Sequence, residues 1–196
     1  MTSVSVYILI GGKSRRFGSS KWKTIINGES VLDRIWNACE QFKFISLVGK
    51  KKPEGIEKPF IKDISTIQAP IIGLYSALKD TKSEWILLLS CDLPLLNKDI
   101  LYRLWSHANL EEQIIVPRIS GTLQPTCAFY NKQILSECDN WIKNKQYGLI
   151  DFIKCNGYHD VDLTSYSKLF LNMNTKNDIT RAEKILRLNS QIKSLL

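Results

Sequence analysis

The sequence predicts a three-layer, Rossmann-like α/β domain in which a mostly parallel sheet carries helices on both faces. Short apolar, β-rich runs alternate with amphipathic helical stretches up to residue 107. The most apolar runs are continuous rather than alternating, which is typical of strands buried on both faces. The 196 residues suffice for one full hydrophobic core, so we expect a single domain over residues 1–196.

The first half of the chain follows the order β-α-β-β-α-β-α. Apolar content predicts strands at 4–10, 44–49, 59–63 and 84–92. Apolar spacing predicts helices at 30–42, 73–79 and 97–107. Ser30 and Asn97 are the expected N-caps, because their side-chain oxygens can accept a hydrogen bond from the first helical turn. This alternation favours a parallel sheet.

The pattern changes after residue 110. The runs "QIIVPR" (113–118) and "QPTCAFYN" (124–131) flank "ISGTL", which predicts a hairpin or a paired edge. Further helices are predicted at 131–144 and 148–154, a last strand at "SKLFLNMN" (167–174), and a closing helix at 179–195. In such sheets, ligands bind beyond the carboxyl ends of the strands, so we look there for functional residues.

Composition narrows the function classes. The formal net charge is +8, but Lys and Arg are spread along the chain, and "KKK" at 50–52 is their longest run. This distribution does not favour a nucleic-acid partner; it suits solubility or attraction of a small polyanion. Five widely spaced cysteines without a C-x-x-C pair predict reduced thiols and a cytoplasmic location. We find no apolar run that predicts a membrane span or a signal peptide.

The stretch "ILIGGKSRRFGSSKW" (8–22) follows the first strand and contains no carboxylate. Gly11 and Gly12 allow a sharp turn that can bring backbone N–H groups close to a phosphate. Compensating positive charge is available from Lys13, Arg15, Arg16 and Lys21. The spacing matches neither a dinucleotide fingerprint nor a P-loop. A phosphate-binding loop is the favoured interpretation, and a glycine turn beside a solvated basic surface is the alternative.

Two carboxylates follow predicted strands. Asp92 emerges from the most apolar strand, where a carboxylate is costly unless it is paired or coordinated. One such oxygen ligand together with substrate phosphates is a common way to hold Mg²⁺. Helix capping is the alternative for Asp92, although Asn97 is better placed for it. Asp63 could accept hydrogen bonds from a nucleoside or could close a turn with its own backbone.

The predicted last strand ends in "NMNT" (172–175). Asn172 and Asn174 are two residues apart, so on a strand they would face the same side and suit a polar ligand. The alternative is that Asn174 or Thr175 simply caps the closing helix. The two histidines, His107 and His159, lack a partner at metal-ligand spacing, and we expect no catalytic role for them.

Taken in order, these segments resemble those of a known family. "LIGGKSRRFGSSK" (9–21) resembles the L-x-G-G-x-S-x-R-x-G-x-x-K signature of small nucleotidyltransferases with a GT-A-like fold. "DISTIQAPIIGLYSAL" (63–78), "CDLPLL" (91–96), "QPTCAFY" (124–130) and "FLNMNTKNDI" (170–179) are similar to the family's later motifs. The combination is that of the molybdenum cofactor guanylyltransferases, and it runs through nearly the whole chain.

The resemblance implies a role for each matching residue. Contacts to the nucleotide would come from Leu9, Ile10, Gly11, Gly12, Lys21, Asp63 and Asp92. The catalytic residues would be Arg16, Lys21 and Asp92, and Asp92 would also bind Mg²⁺. Asn172 and Asn174 would form the wall on the pterin side. Gly49 stands where some family members offer an Asn side chain to the nucleotide, which leaves base recognition open.

The implied reaction is transfer of GMP from GTP to the terminal phosphate of molybdopterin, with release of pyrophosphate. Proteins that donate or accept the molybdenum cofactor are possible partners. Alternatives within the same fold are a molybdopterin cytidylyltransferase or another NTP:phosphate nucleotidyltransferase. An alternative of a different class is a basic protein that binds nucleic acid or the cofactor without catalysis, but polar residues at three strand ends argue against it.

Overall fold

The computed structural model describes residues 4–11, 21–107 and 111–193. Its strands are β1 (Val4–Leu9), β2 (Ile25–Ile26), β3 (Glu29–Ser30), β4 (Phe44–Gly49), β5 (Phe60–Lys62), β6 (Trp85–Ser90), β7 (Ile114–Ile119), β8 (Thr122–Leu123), β9 (Cys127–Asn131) and β10 (Tyr158–Asp162). Its α-helices are α1 (Val31–Ala38), α2 (Pro70–Asp80), α3 (Lys98–Ser106), α4 (Leu135–Lys143), α5 (Leu149–Cys155) and α6 (Lys176–Lys193). None of these helices is long and apolar enough to cross a membrane.

The main sheet has the strand order β10-β7-β9-β6-β1-β4-β5, and β8 pairs with β7 outside this path. β1 is parallel to both of its neighbours, β4 and β6, and β5 is parallel to β4. β9 is antiparallel to β6 and to β7, and it is the one strand along the path that reverses direction. β2 and β3 form a separate two-stranded ribbon. The predicted mostly parallel sheet is confirmed.

Helices cover both faces of the sheet, as predicted. Successive residues of β1 and β6 point to opposite faces: Val6 and Leu87 belong to one hydrophobic cluster, and Tyr7 and Leu88 to the other. The first cluster includes residues of α1, α3 and α6, and the second includes residues of α2, α4 and α5. Because both faces of β1 and β6 are buried, these strands read as continuous apolar runs.

The helix starts follow from local chemistry. The Ser30 hydroxyl accepts a hydrogen bond from the Asp33 N–H (3.0 Å), and the Asn97 side chain accepts one from the Ile100 N–H (3.0 Å). Both predicted N-caps are therefore confirmed. α2 begins at Pro70, three residues before the predicted start at 73, because proline at the first helical position has a backbone angle already set for the helix.

The predicted strand at 167–174 is wrong. Residues Thr164–Phe170 form two short 3₁₀ turns that meet at a kink at Tyr166, and no strand of the sheet includes 171–174. The buried apolar residues of this segment, Phe170 and Met173, are three apart, and Tyr166 and Leu169 pack against the same core cluster. This spacing suits a 3₁₀ turn rather than the two-residue period of a strand.

β10 forms one edge of the sheet, and this strand was not predicted from the sequence. It runs parallel to β7, with Asp160 opposite Val116 and Asp162 opposite Arg118. Arg118 forms ion pairs with both carboxylates, at 2.5 Å to Asp160 and 3.3 Å to Asp162. Its polar sequence gives no strand signal because, of its five residues, only Val161 is fully buried.

α6 begins at a capping box. The Asp178 N–H donates a hydrogen bond to the Thr175 hydroxyl oxygen (3.4 Å). In return, the Asp178 carboxylate accepts hydrogen bonds from the Thr175 N–H (2.8 Å) and from the Thr175 hydroxyl (2.9 Å). The same carboxylate accepts from the Asn174 N–H (3.0 Å). Burial opposes ionisation of Asp178, but these hydrogen bonds and nearby Arg181 outweigh it and lower the pKa of its carboxyl group.

Replacing Asp178 by Asn should therefore lower the free energy of unfolding by about 1 kcal/mol near neutral pH, as expected for loss of a helix cap. Because the folded-state pKa is lowered, this stabilisation is present above the pKa of the unfolded chain and disappears as the pH falls through the folded-state value. Urea unfolding over a range of acidic pH should show wild type and Asp178→Asn converging in stability. Asp99→Asn is the matched control, since Asp99 also lies in the first turn of a helix but is exposed. Equal losses in both variants would contradict the capping role.

Candidate functional site

The carboxyl ends of β4, β1 and β6 lie at the same level of the sheet. Leu9 is directly opposite Val48 on one side and Ser90 on the other. Just beyond these positions, the Ile10 N–H donates to the Val48 carbonyl (3.0 Å) and the Cys91 N–H to the Leu9 carbonyl (3.2 Å). The residues that leave the three strands therefore emerge side by side at one edge.

Three of the predicted site residues meet at this edge. Lys21 lies in a short 3₁₀ helix (Lys21–Lys23), and its ammonium group donates a hydrogen bond to Oδ1 of Asn174 (2.7 Å). The same Nζ atom lies 3.9 Å from Oδ2 of Asp92. Lys21 and Asp92 are about one-fifth and one-quarter exposed, so their charges face the surface without being fully hydrated. Residues 21, 92 and 174, far apart in sequence, thus form one charged cluster.

One carboxylate oxygen of this cluster lacks a partner. Oδ1 of Asp92 is inaccessible to solvent and accepts no hydrogen bond from residues 4–11, 21–107 or 111–193. A buried carboxylate oxygen without a partner carries a desolvation cost that a bound cation would offset. Within the same residues, no group of three or more His, Cys, Asp or Glu side chains could hold a metal ion. A single carboxylate of this kind fits a cation that also binds phosphate oxygens or water.

A backbone hydrogen bond brings Asn174 to Asp92. The N–H of Met173 donates to the Asp92 carbonyl (2.8 Å), and the Met173 side chain is fully buried in the core. Asn174 is exposed on the other side of this anchor, where it meets Lys21. Asn172 is also exposed, and no described hydrogen bond joins its side chain to this cluster. Thr175, not Asn174, provides the side-chain cap of α6, so Asn174 is available for the site.

A cavity of about 340 Å³ lies at the same strand ends, and none of Lys21, Asp92 and Asn174 is among the residues that line it. Six of the residues that line it come from the strand ends, from the start of α2 and from the β5–α2 loop: Leu9, Gly11, Val48, Asp63, Gly73 and Ser90. Ile10 packs against the opposite hydrophobic cluster, so Leu9 and Gly11 line the cavity while the Ile10 side chain points away from it. The cavity is large enough to take part of a nucleotide.

Gly73 lets α2 approach the floor of the cavity closely. A Cβ atom at this position would overlap the Cδ2 methyl of Leu9. Any larger residue would therefore push Leu9 towards the cavity or α2 away from β1. Gly73 was predicted only as the start of a helix, and its packing role depends on the pairing of two distant elements.

Asp63 is held by protein partners in this cavity. Its Oδ2 is 3.0 Å from the ammonium nitrogen of Lys50, and its Oδ1 lies 3.3 Å from the hydroxyl of buried Ser76, which donates to it. The Asp63 N–H donates to the Gly49 carbonyl (2.9 Å), which continues the pairing of β4 with β5. Sequence reasoning missed Lys50. The signal was a cation directly after a strand end, obscured because it opens the run "KKK".

The cysteine next to Asp92 is not available as a nucleophile. Burial, with a smaller contribution from the neighbouring Asp92 charge, raises the pKa of the Cys91 thiol to about 12. Burial likewise raises the pKa of Cys127 to about 12. Both side chains stay neutral near physiological pH and serve as small apolar groups in the core.

Four residues named from the glycine-rich stretch lie outside the described part of the chain. These are Gly12, Lys13, Arg15 and Arg16. Their contacts with phosphate stay predictions. Gly11 and Lys21, the described residues on either side of 12–20, lie at the cavity and in the charged cluster, respectively.

Comparison with known proteins agrees with this geometry. Residues 6–161 match the model of the MobA-like NTP transferase domain. A probable molybdenum cofactor guanylyltransferase from Aquifex aeolicus is 36% identical over 180 residues, which cover 89% of this chain and 88% of the relative.

Solved structures show the same fold at lower identity. Molybdopterin-guanine dinucleotide biosynthesis protein A from Archaeoglobus fulgidus superposes with a TM-score of 0.75 at 20% identity, covering 93% of this chain and 98% of its own. 2-C-methyl-D-erythritol 4-phosphate cytidylyltransferase from Thermus thermophilus gives a TM-score of 0.72 at 13% identity, covering 95% and 100%. These similarities confirm the predicted nucleotidyltransferase fold. On the evidence of the matched domain and the relative from Aquifex, the chain belongs to the MobA-like NTP transferase family and is a nucleotidyltransferase.

Proposed function

We propose that this nucleotidyltransferase transfers GMP from GTP to the terminal phosphate of molybdopterin and so forms the molybdopterin guanine dinucleotide. The observation that carries the proposal is the meeting of Lys21, Asp92 and Asn174 at the strand ends that also line a cavity. The name of the relative from Aquifex supports guanine as the base and the molybdenum cofactor as the acceptor.

In this reaction, an oxygen of the molybdopterin phosphate forms a bond to the α-phosphorus of GTP. The bond from that phosphorus to the oxygen bridging to the β-phosphate breaks, and the electron pair leaves with pyrophosphate. A phosphate monoester with a second pKa of about 6 is mostly ionised near neutral pH, so the attacking oxygen needs no general base. Cys91 is buried in the core, which agrees with direct transfer rather than a covalent enzyme intermediate.

The protein's task is then to align two polyanions and to balance the charge that develops on the α-phosphate and the leaving group. Lys21 suits this task because its present partners are weak competitors: a neutral amide at 2.7 Å and a carboxylate at 3.9 Å. A phosphate oxygen can take the place of either. We assign Arg16 and the N–H groups of Gly11 and Gly12 to the same charge balance.

We propose that Asp92 holds Mg²⁺ through the Oδ1 atom that lacks a protein partner. The ion, when bound with nucleotide, supplies positive charge to the phosphates. Asp92, two residues beyond the end of β6, would hold the ion, and we assign Asn174 to the wall on the pterin side. Asp63 and the cavity on the other side of β1 would receive the nucleoside. Proteins that donate or accept the cofactor would be further partners.

The proposed function is tested by presenting each ribonucleoside triphosphate with Mg²⁺ and measuring pyrophosphate release with and without molybdopterin. We expect release with GTP only when molybdopterin is present, and formation of the guanine dinucleotide by mass spectrometry. Preference for CTP would identify a cytidylyltransferase instead. No turnover with any nucleotide, together with binding to nucleic acid that weakens steeply with salt, would favour the non-enzymatic alternative.

Asp92→Asn should lower turnover by at least about a hundredfold, because the charge that binds the cation is lost. The free energy of unfolding should stay within about 1 kcal/mol, since the Lys21 pair is partly exposed and Oδ1 has no partner to lose. Titration of Mn²⁺ in the presence of GTP, followed by electron paramagnetic resonance, should show weaker metal binding. Asp99→Asn removes an exposed carboxylate as a control. Near-normal turnover of Asp92→Asn at saturating Mg²⁺ would remove the metal assignment.

Lys21→Met should lower kcat about a hundredfold and change the KM for GTP by less than about threefold, because its charge acts mainly on the transition state. Steady-state kinetics with varied GTP separates the two effects. Lys23→Met is the matched control, since Lys23 lies in the same turn but is exposed and stacks on the Trp22 ring at 5.1 Å. A rise in KM at constant kcat would instead make Lys21 a ground-state binding residue.

A further inference from the structure

The ammonium group of Lys50 ties together the end of β4 and the loop that leads into α2. It lies 3.0 Å from Oδ2 of Asp63 and donates hydrogen bonds to the carbonyl oxygens of Ser65 (2.5 Å) and Ile67 (2.6 Å). An ammonium group has three N–H donors, and these three acceptors account for all of them. Lys50 lines the cavity, but its ammonium group binds oxygen atoms of the protein.

Little else holds this loop in place. The side chains of Ile64 and Ile67 are 53% and 37% exposed, so the loop is not fixed by burial in the core. Its other described side-chain hydrogen bonds are local or at its ends: the Ile64 N–H donates to Ser76, and the Ile67 N–H to Ser65. An exposed loop with few buried apolar contacts opens easily unless polar contacts fix its backbone. Lys50 makes the contacts that reach the middle of the loop.

The loop forms one wall of the cavity. Asp63 opens the loop, and Gln68 and Ala69 close it at the start of α2; all three line the cavity. Ala69 offers no side-chain cap to α2, so the loop backbone and the buried side chains of Ile71 and Ile72 together set where this helix starts. Releasing the carbonyl groups of Ser65 and Ile67 would therefore loosen the wall against which the nucleoside is proposed to bind.

We propose that Lys50 is a positioning residue that preorganises the nucleoside pocket by fixing the β5–α2 loop. The inference rests on the proposed binding of a nucleotide in this cavity and goes beyond it, because it assigns a role to a lysine whose ammonium group is held by protein oxygens. Preorganisation of this kind lowers the ordering cost of binding. Loss of Lys50 should accordingly weaken GTP binding and leave the chemical step nearly unchanged.

The experiment compares Lys50→Met with Lys51→Met. Methionine keeps the apolar stem of lysine and removes the ammonium group, and Lys51 is the exposed neighbour in the same basic run. Hydrogen–deuterium exchange should show faster exchange in peptides covering 63–69 of Lys50→Met and unchanged exchange in the rest of the sheet. The KM for GTP should rise about tenfold with kcat changed less than about threefold. Lys51→Met should behave as wild type in both measurements.

Equal rises in KM for the two variants would overturn the proposal, because they would point to general attraction of a polyanion rather than to the loop. Unchanged exchange over 63–69 in Lys50→Met would overturn it directly. Lys50→Arg provides a folded variant should Lys50→Met fail to fold: it keeps the charge, but a planar fork cannot direct three donors to acceptors around one point. We expect intermediate exchange and KM, and wild-type values for both would contradict the proposal.

The exchange measurement needs no nucleotide, so it separates this proposal from the proposed function. Wild-type protein that binds no nucleoside triphosphate would refute the function, while exchange over 63–69 would still show whether Lys50 fixes the loop. Normal GTP binding by wild type with unaltered exchange in Lys50→Met would refute the positioning role alone.

Discussion

The parallel pairing of β1 with β4 and β6 is the constraint on which the site depends. Parallel strands end at the same edge of a sheet, and the register that sets Leu9 opposite Val48 and Ser90 makes the three ends level. The residues that follow these three strands must therefore lie at one edge of the sheet. A shift of one residue in this register would turn every side chain of β1 to the opposite face and separate Gly11 from the segment that carries Asp92.

The last part of the site comes from a segment outside the sheet. The hydrogen bond from the Met173 N–H to the Asp92 carbonyl positions this segment at the site, as strand pairing positions the residues that follow β1, β4 and β6. Burial of Met173 and the capping box at Thr175 and Asp178 fix the backbone on either side of Asn174. The amide therefore reaches Lys21 from a short irregular segment that is anchored at both ends, and it needs no ladder of hydrogen bonds.

Much of this arrangement could be predicted from the sequence, because the strands of the parallel half are apolar runs and their ends carry distinctive residues. Asp92 stood out by its chemistry and Lys21 by the family resemblance, and the fold brings them to the same edge. The errors have physical causes. At 167–174 Leu169, Leu171 and Met173 alternate as in a strand, whereas the buried residues Phe170 and Met173 are three apart. β10 is a polar segment whose pairing with β7 exists only in the folded sheet. Lys50 was missed because its position directly after a strand end was obscured by a run of three lysines, and its acceptors lie in a loop that only the fold brings near.

Two lysines at the same edge show how partners assign different roles to the same side chain. Lys50 has three oxygen acceptors within 3.0 Å, one of them a carboxylate that is only 11% exposed, so a ligand could recruit its charge only by breaking these contacts. Lys21 has one short contact, to a neutral amide, and its carboxylate partner is 3.9 Å away. Its charge is positioned but not neutralised. A charge that its partners neutralise less acts more strongly on a phosphate, so this difference supports the proposals that Lys50 holds the pocket and that Lys21 serves the reaction.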